Sequence, residues 1–501
     1  MKANSTMTRR FFIGGLTSAL AIGPRRIFAV APGAAAGGKP ALSFGLLSDV
    51  HIALAKGGRK LNPMYTTETL VKAFEWFRDN GADAVVIAGD MAHCGLGGEL
   101  MALADAWFKV FPGDKAPDGR HVERVFVFGN HDWSSPGRAK DVFPDEAERK
   151  ANLIVADPKK WWDAAFHEEW SPFQLKKANG YDFVCAHWTN GGCRGKEENF
   201  TKGLKEYYES LKGRLDQSKP FFHVQHPHPK GTVHGNFVWG QDNGVTPGIL
   251  SAYHNAIAFS GHSHTSLTDE RSIWQGDFTS IGCATLRNVS LNTPGVLSLP
   301  DGYEDGKTKK NGDPAPRAME VPNRMNCRQG QFVRVYGDRV VLSRREFVTG
   351  APLCDDIVIP LPAAERRPFE FAGRMAAAKP PKFPEGAKLV VERKKGPLRG
   401  NHKTKVDVWE VSIPAATAEK SARAAVYEVL VSGPNGFSKK LGMTNPGMRF
   451  PLADARNVAH EAFRVPCSRL CEGDLTFAVT AISCWGRRSE PLTASVKSAT
   501  A

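Results

Sequence analysis

The chain has 501 residues, a length sufficient for two domains. A hydrophobic content of 42% and a charged content of 24% are typical of soluble globular proteins and exclude a disordered or collagen-like chain. The net charge of +14 falls to +9 without residues 1–36, and the remaining basic residues are scattered, so the charge does not indicate a specific nucleic-acid partner.

The first residues have the pattern of an export signal. Arg9 and Arg10 directly precede an aromatic pair and a mildly apolar run from Leu16 to Ile22. This pattern resembles a twin-arginine signal peptide, and the apolar run is too short to be a transmembrane segment. We therefore predict a signal over residues 1–36 and a mature protein in the periplasm or outside the cell.

From residue 40 to residue 361, short apolar strands alternate with helices. The first strand is predicted at Leu42–Leu47, and Leu70, Ala73, Phe74 and Phe77 then form the apolar stripe of an amphipathic helix. A second helix and further strands are predicted at about Gly98–Val110, Val85–Ala88, Val125–Phe128, Phe183–Ala186, Phe221–Val224 and Ile257–Ser260. This alternation predicts a layered α/β domain with largely parallel strand pairing near its centre.

The last part of the chain has a different pattern. After a hairpin predicted at Gln331–Val335 and Val340–Phe347, residues 362–384 are rich in proline, alanine and charge and are predicted as a linker. Residues 385–501 contain seven or so short strands without helices, which is typical of a β-sandwich. The run Phe477–Ser483 and its neighbours resemble the last strands of a fibronectin type III module.

Polar side chains follow five of the predicted strands. They are Asp49 and His51, then Asp90, Asn130, His226, and finally His262 with His264. Because the carboxyl ends of strands in an open α/β sheet border the ligand crevice, these side chains are expected to converge. Residues two apart in extended backbone project to one side, which is the geometry we expect for Asp49 with His51 and for His262 with His264. Carboxylate, amide and imidazole groups together favour divalent transition metals.

The order Asp-x-His, Gly-Asp, Gly-Asn-His-Asp, His and Gly-His-x-His resembles the calcineurin-like metallophosphoesterases over about Leu42 to Phe347. The resemblance implies two packed mixed β-sheets flanked by helices, a four-layer fold, here with a C-terminal all-β sandwich. It also implies a hydrolase of phosphate mono- or diesters with two divalent or trivalent Mn, Fe or Zn ions. The nucleophile would be a hydroxide between the metals, which stand roughly 3.5–4 Å apart in such sites.

The resemblance also assigns roles to individual residues. Asp49, His51 and His264 would hold one metal ion. Asn130, His226 and His262 would hold the other, and Asp90 would bridge the two. His131 would protonate the leaving oxygen or stabilise the transition state, with Asp132 tuning or orienting it. The alternative for Asp132 is a helix cap.

His93 is the residue that bears on the substrate. Purple acid phosphatases carry a tyrosine three residues after the bridging aspartate, whereas this chain has His93 there, which argues against a tyrosinate–iron centre. A histidine at this position is similar to nuclease members of the superfamily and favours phosphodiesters. The alternative is a loop histidine outside the site.

Several alternatives stay open at this point. His223, His228 and His234 surround His226; we expect the latter two to be polar loop residues. A second function class is a binding or scaffold protein that engages a cell-envelope glycan or protein partner through its C-terminal sandwich. The nine cysteines form no disulfide framework, although Cys467, Cys471 and Cys484 are close enough in sequence to include one bridge or to be buried thiols.

Overall fold

In the computed structural model, the described residues are 38–55, 65–133, 138–189, 198–235, 240–287, 289, 327–363, 365–398, 401–417, 423–449 and 461–497. Residues 40–501 form one compact unit. The predicted signal at residues 1–36 lies outside the described residues. Within the part of the chain that the structure describes, none of the helices combines the length and hydrophobicity needed to span a bilayer.

Two six-stranded sheets form the core of the first part of the chain. One has the order β12-β11-β10-β1-β2-β3 and the other the order β4-β5-β6-β7-β9-β8. These strands are β1 Leu42–Leu47, β2 Ala84–Ala88, β3 Glu123–Val127, β4 Phe173–Ala178, β5 Tyr181–Ala186, β6 Phe221–Val224, β7 Ala256–Ser260, β8 Ile273–Gln275, β9 Thr279–Gly282, β10 Gln329–Val335, β11 Arg339–Glu346 and β12 Ile357–Pro360. Both sheets are mixed: β1-β2-β3 and β5-β6-β7-β9 pair in parallel, and the outer strands pair antiparallel.

The two sheets pack face to face through large apolar side chains. The ring of Phe44 on β1 lies 5.4, 5.0 and 5.7 Å from three phenylalanine rings of the second sheet, those of Phe183, Phe222 and Phe259. Removing such rings from water is the main contribution to stability here, at about 25 cal/mol per Å² of apolar surface.

Helices cover the outer faces of both sheets. Those whose residues belong to the apolar cluster on these faces are α1 Glu68–Asp79, α2 Gly97–Val110, α5 Pro158–Phe166, α6 Glu198–Ser210 and α7 Val245–Leu250. The other helices of the described residues are α3 Asn130–Trp133, α4 Glu146–Ala151 and α8 Phe371–Ala377. The predicted stripe of α1 is fully buried, with Phe74 and Phe77 inaccessible to solvent. Helix, sheet, sheet and helix make the four layers of the metallophosphoesterase fold, so the predicted fold class is confirmed.

Seven further strands form two antiparallel sheets at the C-terminal end. A three-stranded sheet has the order β13-β14-β17, and a four-stranded sheet has the order β16-β15-β18-β19. Their bounds are β13 Val390–Leu398, β14 Asn401–Ile413, β15 Ala424–Ser432, β16 Ser438–Thr444, β17 Glu461–Pro466, β18 Leu475–Ser483 and β19 Leu492–Val496. The sheets share a core that includes Val411, Tyr427 and Phe477, consistent with a β-sandwich.

Four finer predictions concern this region. The segment predicted as a linker, 362–384, contains the helix α8, whose first turn is capped by the Glu370 side chain. The domain boundaries and the fibronectin-like character of the sandwich stay predictions. Cys467, Cys471 and Cys484 are all free thiols, so the optional bridge among them is not formed.

Candidate metal centre

The predicted ligands lie at the carboxyl ends of five strands, and these ends meet at one edge of the two packed sheets. Asp49 and His51 follow β1, Asp90 follows β2 and Asn130 follows β3 in the first sheet. His226 follows β6, and His262 with His264 follows β7, in the second sheet.

The backbone at these positions is not extended, and that part of the sequence prediction was wrong. Asp49, His51 and Asp90 have φ of 52°, 52° and 53°, and His262 and His264 have φ of 70° and 55°. Non-glycine residues in this left-handed region cost on the order of 1 kcal/mol or more each and persist where the surrounding structure fixes them. The side chains of each pair therefore converge through sharp local turns rather than through the pleat of a strand.

The first group of ligands surrounds Asp49. Its Oδ1 atom lies 2.9 Å from Nε2 of His264 and 3.7 Å from Nε2 of His51. The two imidazole Nε2 atoms are 3.2 Å apart, and Oδ2 of Asp90 is 3.5 Å from that of His51. All four ligand atoms lie within 4.8 Å of one another.

The second group surrounds His226. Its Nε2 atom lies 3.1 Å from Nδ1 of His262, 3.2 Å from Oδ1 of Asn130 and 3.3 Å from Oδ2 of Asp90. Asp90 therefore stands between the two groups, and the same carboxylate oxygen approaches one histidine of each. This is the arrangement expected of a residue that bridges two metal ions.

These atoms fit a pair of metal ions better than a hydrogen-bonded cluster. Ligands at roughly 2.1 Å from one ion stand roughly 3.0–3.4 Å from each other. The distances here are 3.1–3.3 Å in the second group and 2.9–3.7 Å in the first. Oδ1 of Asp49 is buried and makes no hydrogen bond of good geometry within the described residues, although Nε2 of His264 is 2.9 Å away. Several acceptor atoms thus face a common point, as metal ligands do.

The electrostatics of the cluster favour ionised carboxylates. Burial alone would raise the pKa of Asp90, but the neighbouring His226, His131 and His51 hold it far below its ordinary value. Burial alone would lower the pKa of His226, but the carboxylates of Asp90 and Asp49 raise it to about 9. The two carboxylates therefore favour a positive charge at His226, either as a proton on the ring or as a metal ion bound to it.

Atoms outside the metal groups hold the ligands in place. The Ser48 hydroxyl donates to Oδ2 of Asp49 at 2.7 Å, and the backbone N–H of His262 donates to the same oxygen at 2.9 Å. Nδ1 of His226 bonds the Ala88 carbonyl oxygen at 2.8 Å. Such supporting bonds fix the orientation of a ligand. Sequence analysis missed Ser48, for which adjacency to Asp49 was the only available signal.

His131 lies against the first metal group. Its ring meets that of His51 edge-on at 4.4 Å, and its Nδ1 bonds the carbonyl oxygen of His93 at 2.8 Å. The carboxylate of Asp132 instead accepts from the backbone amides of Gly129 and Ala92 at 2.7 and 2.6 Å. The orientation of His131 thus comes from a backbone carbonyl, while Asp132 ties together the two loops that carry Asp90 and Asn130.

His93 belongs to the same group of rings. It stacks on His131 with a centroid distance of 5.5 Å and lies 5.6 Å from His51. The structure therefore does not support the alternative of a loop histidine outside the site. The side chains of His51, His93 and His131 also present ligand atoms within 4.8 Å of one another.

The other histidines near His226 belong to the protein interior. His228 bonds the hydroxyls of Ser260 and Ser263 at 2.8 and 2.7 Å, and His223 bonds Tyr208 at 2.9 Å. His228 and His234 lie in the loop after β6, as expected, and both are buried there. Their local partners distinguish them from His226, whose Nε2 faces the other ligands.

Comparisons with known proteins find similarity over the part of the chain that carries these residues. Residues 42–266 match the family model described as calcineurin-like phosphoesterase. No curated protein matches the chain significantly. The match ends after His264, and β10–β12 complete the first sheet beyond it.

Similar solved structures include a purple acid phosphatase from yellow lupin (Lupinus luteus), with 14% identity and a TM-score of 0.40. That alignment covers 65% of this chain and 55% of the lupin chain, so this chain spans about half the length of the lupin enzyme. A predicted phosphoesterase from Streptococcus pneumoniae has 9% identity and a TM-score of 0.25, and covers 65% and 99%. A zinc complex of Vps29 from Entamoeba histolytica has 7% identity and a TM-score of 0.28, and covers 63% and 99%.

The family match covers the strands and turns that carry all seven proposed ligands, from Asp49 to His264. Residues 42–266 therefore form a calcineurin-like phosphoesterase domain.

Proposed function

We propose that this chain is an exported, dinuclear metal-dependent hydrolase of phosphate mono- or diesters. The observation that supports this best is the position of Asp90, whose Oδ2 lies 3.5 Å from His51 and 3.3 Å from His226. One carboxylate oxygen between two sets of histidines is suited to joining two cations that would otherwise repel each other.

We assign the seven ligands to two metal positions. Asp49, His51 and His264 would hold one ion, and Asn130, His226 and His262 the other, with Asp90 shared. The mixture of oxygen and imidazole ligands suits Mn, Fe or Zn. Such an ion pair, when bound, supplies Lewis-acid activation of water and charge stabilisation at the phosphoryl group.

The chain's own residues then act on the leaving group. His131 is held through Nδ1 by the His93 carbonyl oxygen, so that its Nε2 is the atom for proton transfer to the departing oxygen. Asn130 contributes a neutral oxygen, which keeps negative charge near the substrate phosphate low. The His93 ring extends this wall of the site, and we infer that it assists cleavage of diesters.

Export is part of the proposal and rests on Arg9 and Arg10. Replacing both with lysine should retain the protein in the cytoplasm, as judged by fractionation with a reporter fusion. Efficient export of the Arg9→Lys, Arg10→Lys variant would contradict a twin-arginine route. In the mature protein, the C-terminal sheets would provide a contact surface for an envelope glycan or protein.

The test of catalysis compares four proteins reconstituted with Mn, Fe or Zn on aryl phosphate mono- and diesters. Asp90→Asn should lower bound metal, measured by elemental analysis, and His131→Ala should retain metal but lose about 10²–10⁴-fold in kcat. His121→Ala is the matched control, because His121 is exposed and precedes β3 at the opposite end of the sheet. Equal inactivity of all four proteins would refute the proposal.

The same assay separates the substrate classes. His93→Ala should lower diester hydrolysis more than monoester hydrolysis if the ring assists diester cleavage. An equal loss on both substrates would leave His93 with a purely structural role. A binding stoichiometry of about one metal after full loading would contradict the dinuclear centre.

A further inference from the structure

Tyr65 and Arg287 form a pair beside the proposed metal centre that none of the assigned roles uses. The guanidinium of Arg287 lies over the Tyr65 ring, 4.7 Å from its centroid, and its Nη2 donates to the Tyr65 hydroxyl at 2.5 Å. A cation on the face of a phenol is a favourable arrangement, and the planar guanidinium is well suited to it.

The pair is anchored directly to the site. The Tyr65 ring lies 4.6 Å from the ring of His93, which in turn stacks on His131. The Thr285 hydroxyl donates to the Asp49 carbonyl oxygen at 2.9 Å, and the backbone N–H of Arg287 donates to that same hydroxyl at 2.9 Å. Arg287 is therefore fixed on the side of the site where the proposed proton donor stands.

The charge of Arg287 is not matched by an acidic partner within the described residues. Its Nε is buried and has no hydrogen-bond partner there, and Tyr65 is its side-chain partner. Arg271 is a contrasting buried arginine, since Asp269 accepts from its Nε and Nη2 at 3.0 and 2.7 Å. A half-buried arginine without a carboxylate, beside the proposed metal centre, is suited to an anionic ligand.

We propose that Arg287 and Tyr65 form a subsite that binds a second anionic group on the leaving-group side of the substrate. The preferred substrates are then phosphate esters whose departing alcohol carries its own phosphate or carboxylate. This inference rests on the proposed function, because the leaving-group side is defined by His131. Arg287 contributes charge and two donors, and Tyr65 holds the guanidinium in place.

The kinetic test compares phenyl phosphate with 4-carboxyphenyl phosphate and 1,4-phenylene bisphosphate. Arg287→Gln should raise KM for the two substrates whose leaving group carries a second anionic group, lowering kcat/KM about tenfold or more, and should leave phenyl phosphate within about twofold. Tyr65→Phe should show a smaller loss of the same kind. A larger effect on the bisphosphate than on the carboxylate would identify phosphate as the second anion.

The matched control is Arg339→Gln. Arg339 also lies over a tyrosine ring, 4.4 Å from the centroid of Tyr336, but as the first residue of β11, at the opposite end of the sheet from Asp49. It should leave all three substrates unchanged. If Arg287→Gln lowered kcat/KM equally on all three substrates, or on none, the subsite would be refuted while the phosphoesterase function stood.

A binding measurement decides the inference even if no ester is hydrolysed. Methylenediphosphonate carries two linked phosphonates and is not cleaved, so its binding by calorimetry requires no turnover. Arg287→Gln should weaken this binding about tenfold relative to wild type, and Arg339→Gln should not. Unchanged binding in Arg287→Gln would overturn the subsite. Inactive wild-type protein that still loses binding in this variant would refute the catalytic proposal alone.

Discussion

The phosphoesterase domain and the C-terminal sheets use their backbones differently. In the first region, all five of the Asp and His ligands on loops after β1, β2 and β7 have positive φ, and buried polar groups crowd one sheet edge. Among the described residues of 390–496, Asn435 is the single non-glycine residue with positive φ. The first region thus accepts local strain to bring ligands together, whereas the second has regular antiparallel pairing.

The two regions also differ in the ion pairs of their buried carboxylates. Glu410 and Glu428 in the C-terminal sheets each accept from two basic side chains, Lys394 with Arg464 and Lys440 with Arg488. In the phosphoesterase domain, Asp49, Asp90 and Glu99 are buried without a lysine or arginine ion pair in the described residues. Buried carboxylates without a permanently charged partner are costly, so their presence at one sheet edge indicates a site kept for function.

The largest expected effect is at Gly261, between β7 and His262. A Cβ there would lie 1.8 Å from Oγ of Ser48 and 2.4 Å from Oδ2 of Asp49. Gly261→Ala should therefore lower the free energy of unfolding by about 3 kcal/mol or more and abolish metal binding, as measured by urea unfolding and elemental analysis.

Two glycines provide controls for this prediction. Gly248, in α7, has open space around it, so Gly248→Ala should be neutral or stabilise by up to about 1 kcal/mol. Gly436, in the C-terminal region, also has open space but a φ of 74°, so Gly436→Ala should cost about 1 kcal/mol and leave metal binding intact. Similar losses in all three variants would mean that the two regions do not differ in packing tolerance.

The second prediction concerns pH. Burial raises the pKa of Glu99 to about 7, although the backbone amides of Cys94 and Leu96 donate to it at 2.8 and 3.1 Å. Because the folded state holds this proton more tightly, Glu99 costs stability progressively as pH rises from about 4.5 to about 7. Glu99→Gln should then match wild type near pH 4.5 and exceed it by about 3 kcal/mol at pH 8, by urea unfolding.

Glu428→Gln is the contrasting variant. Glu428 is also buried, but it pairs with Lys440 and Arg488, so its replacement should lower stability at pH 7 by about 1 kcal/mol or less. A stabilising effect of Glu428→Gln would contradict this difference in charge compensation between the regions. So would a Glu99→Gln variant whose free energy of unfolding equals that of wild type at every pH.

The sequence predicted the layers and the convergence of the ligands because both depend on local patterns. Apolar runs fix the strands, and a polar residue directly after a buried strand must lie at the sheet edge. The left-handed turns at Asp49 and His262 could not be predicted, because their φ is imposed by contacts between loops of different strands. The burial of His228 depends on Ser260 and Ser263, which lie more than thirty residues further along the chain.

The contacts of the residues around the ligands were even harder to predict from the sequence. Tyr65 and Arg287 are 222 residues apart and meet only because both are tied to the loop after β1. The residue types could not predict that a backbone carbonyl orients His131, because every residue has such a carbonyl. Side-chain roles set by long-range contacts therefore needed the three-dimensional structure.

The third prediction tests how strongly the two regions are coupled. The segment after His264 contacts loops of the C-terminal region: Ser266 donates to the Met448 carbonyl oxygen at 2.6 Å, and Trp485 donates through Nε1 to Glu270 at 2.9 Å. Trp485→Phe keeps an aromatic ring but removes this donor, which should cost about 1–2 kcal/mol because the acceptor is charged. Urea unfolding measures the loss.

Hydrogen exchange then shows which part of the chain Trp485→Phe destabilises. If the C-terminal sheets support the turn that carries His262 and His264, Trp485→Phe should speed amide exchange over residues 265–272 and weaken metal binding a few-fold. Trp409→Phe is the control, because Trp409 packs on Phe477 inside the sandwich core. It should lower stability without changing exchange at 265–272. Equal effects of the two variants on that segment would mean that the contact at Trp485 is not what positions the ligands, and that the phosphoesterase domain holds its strained turns unaided.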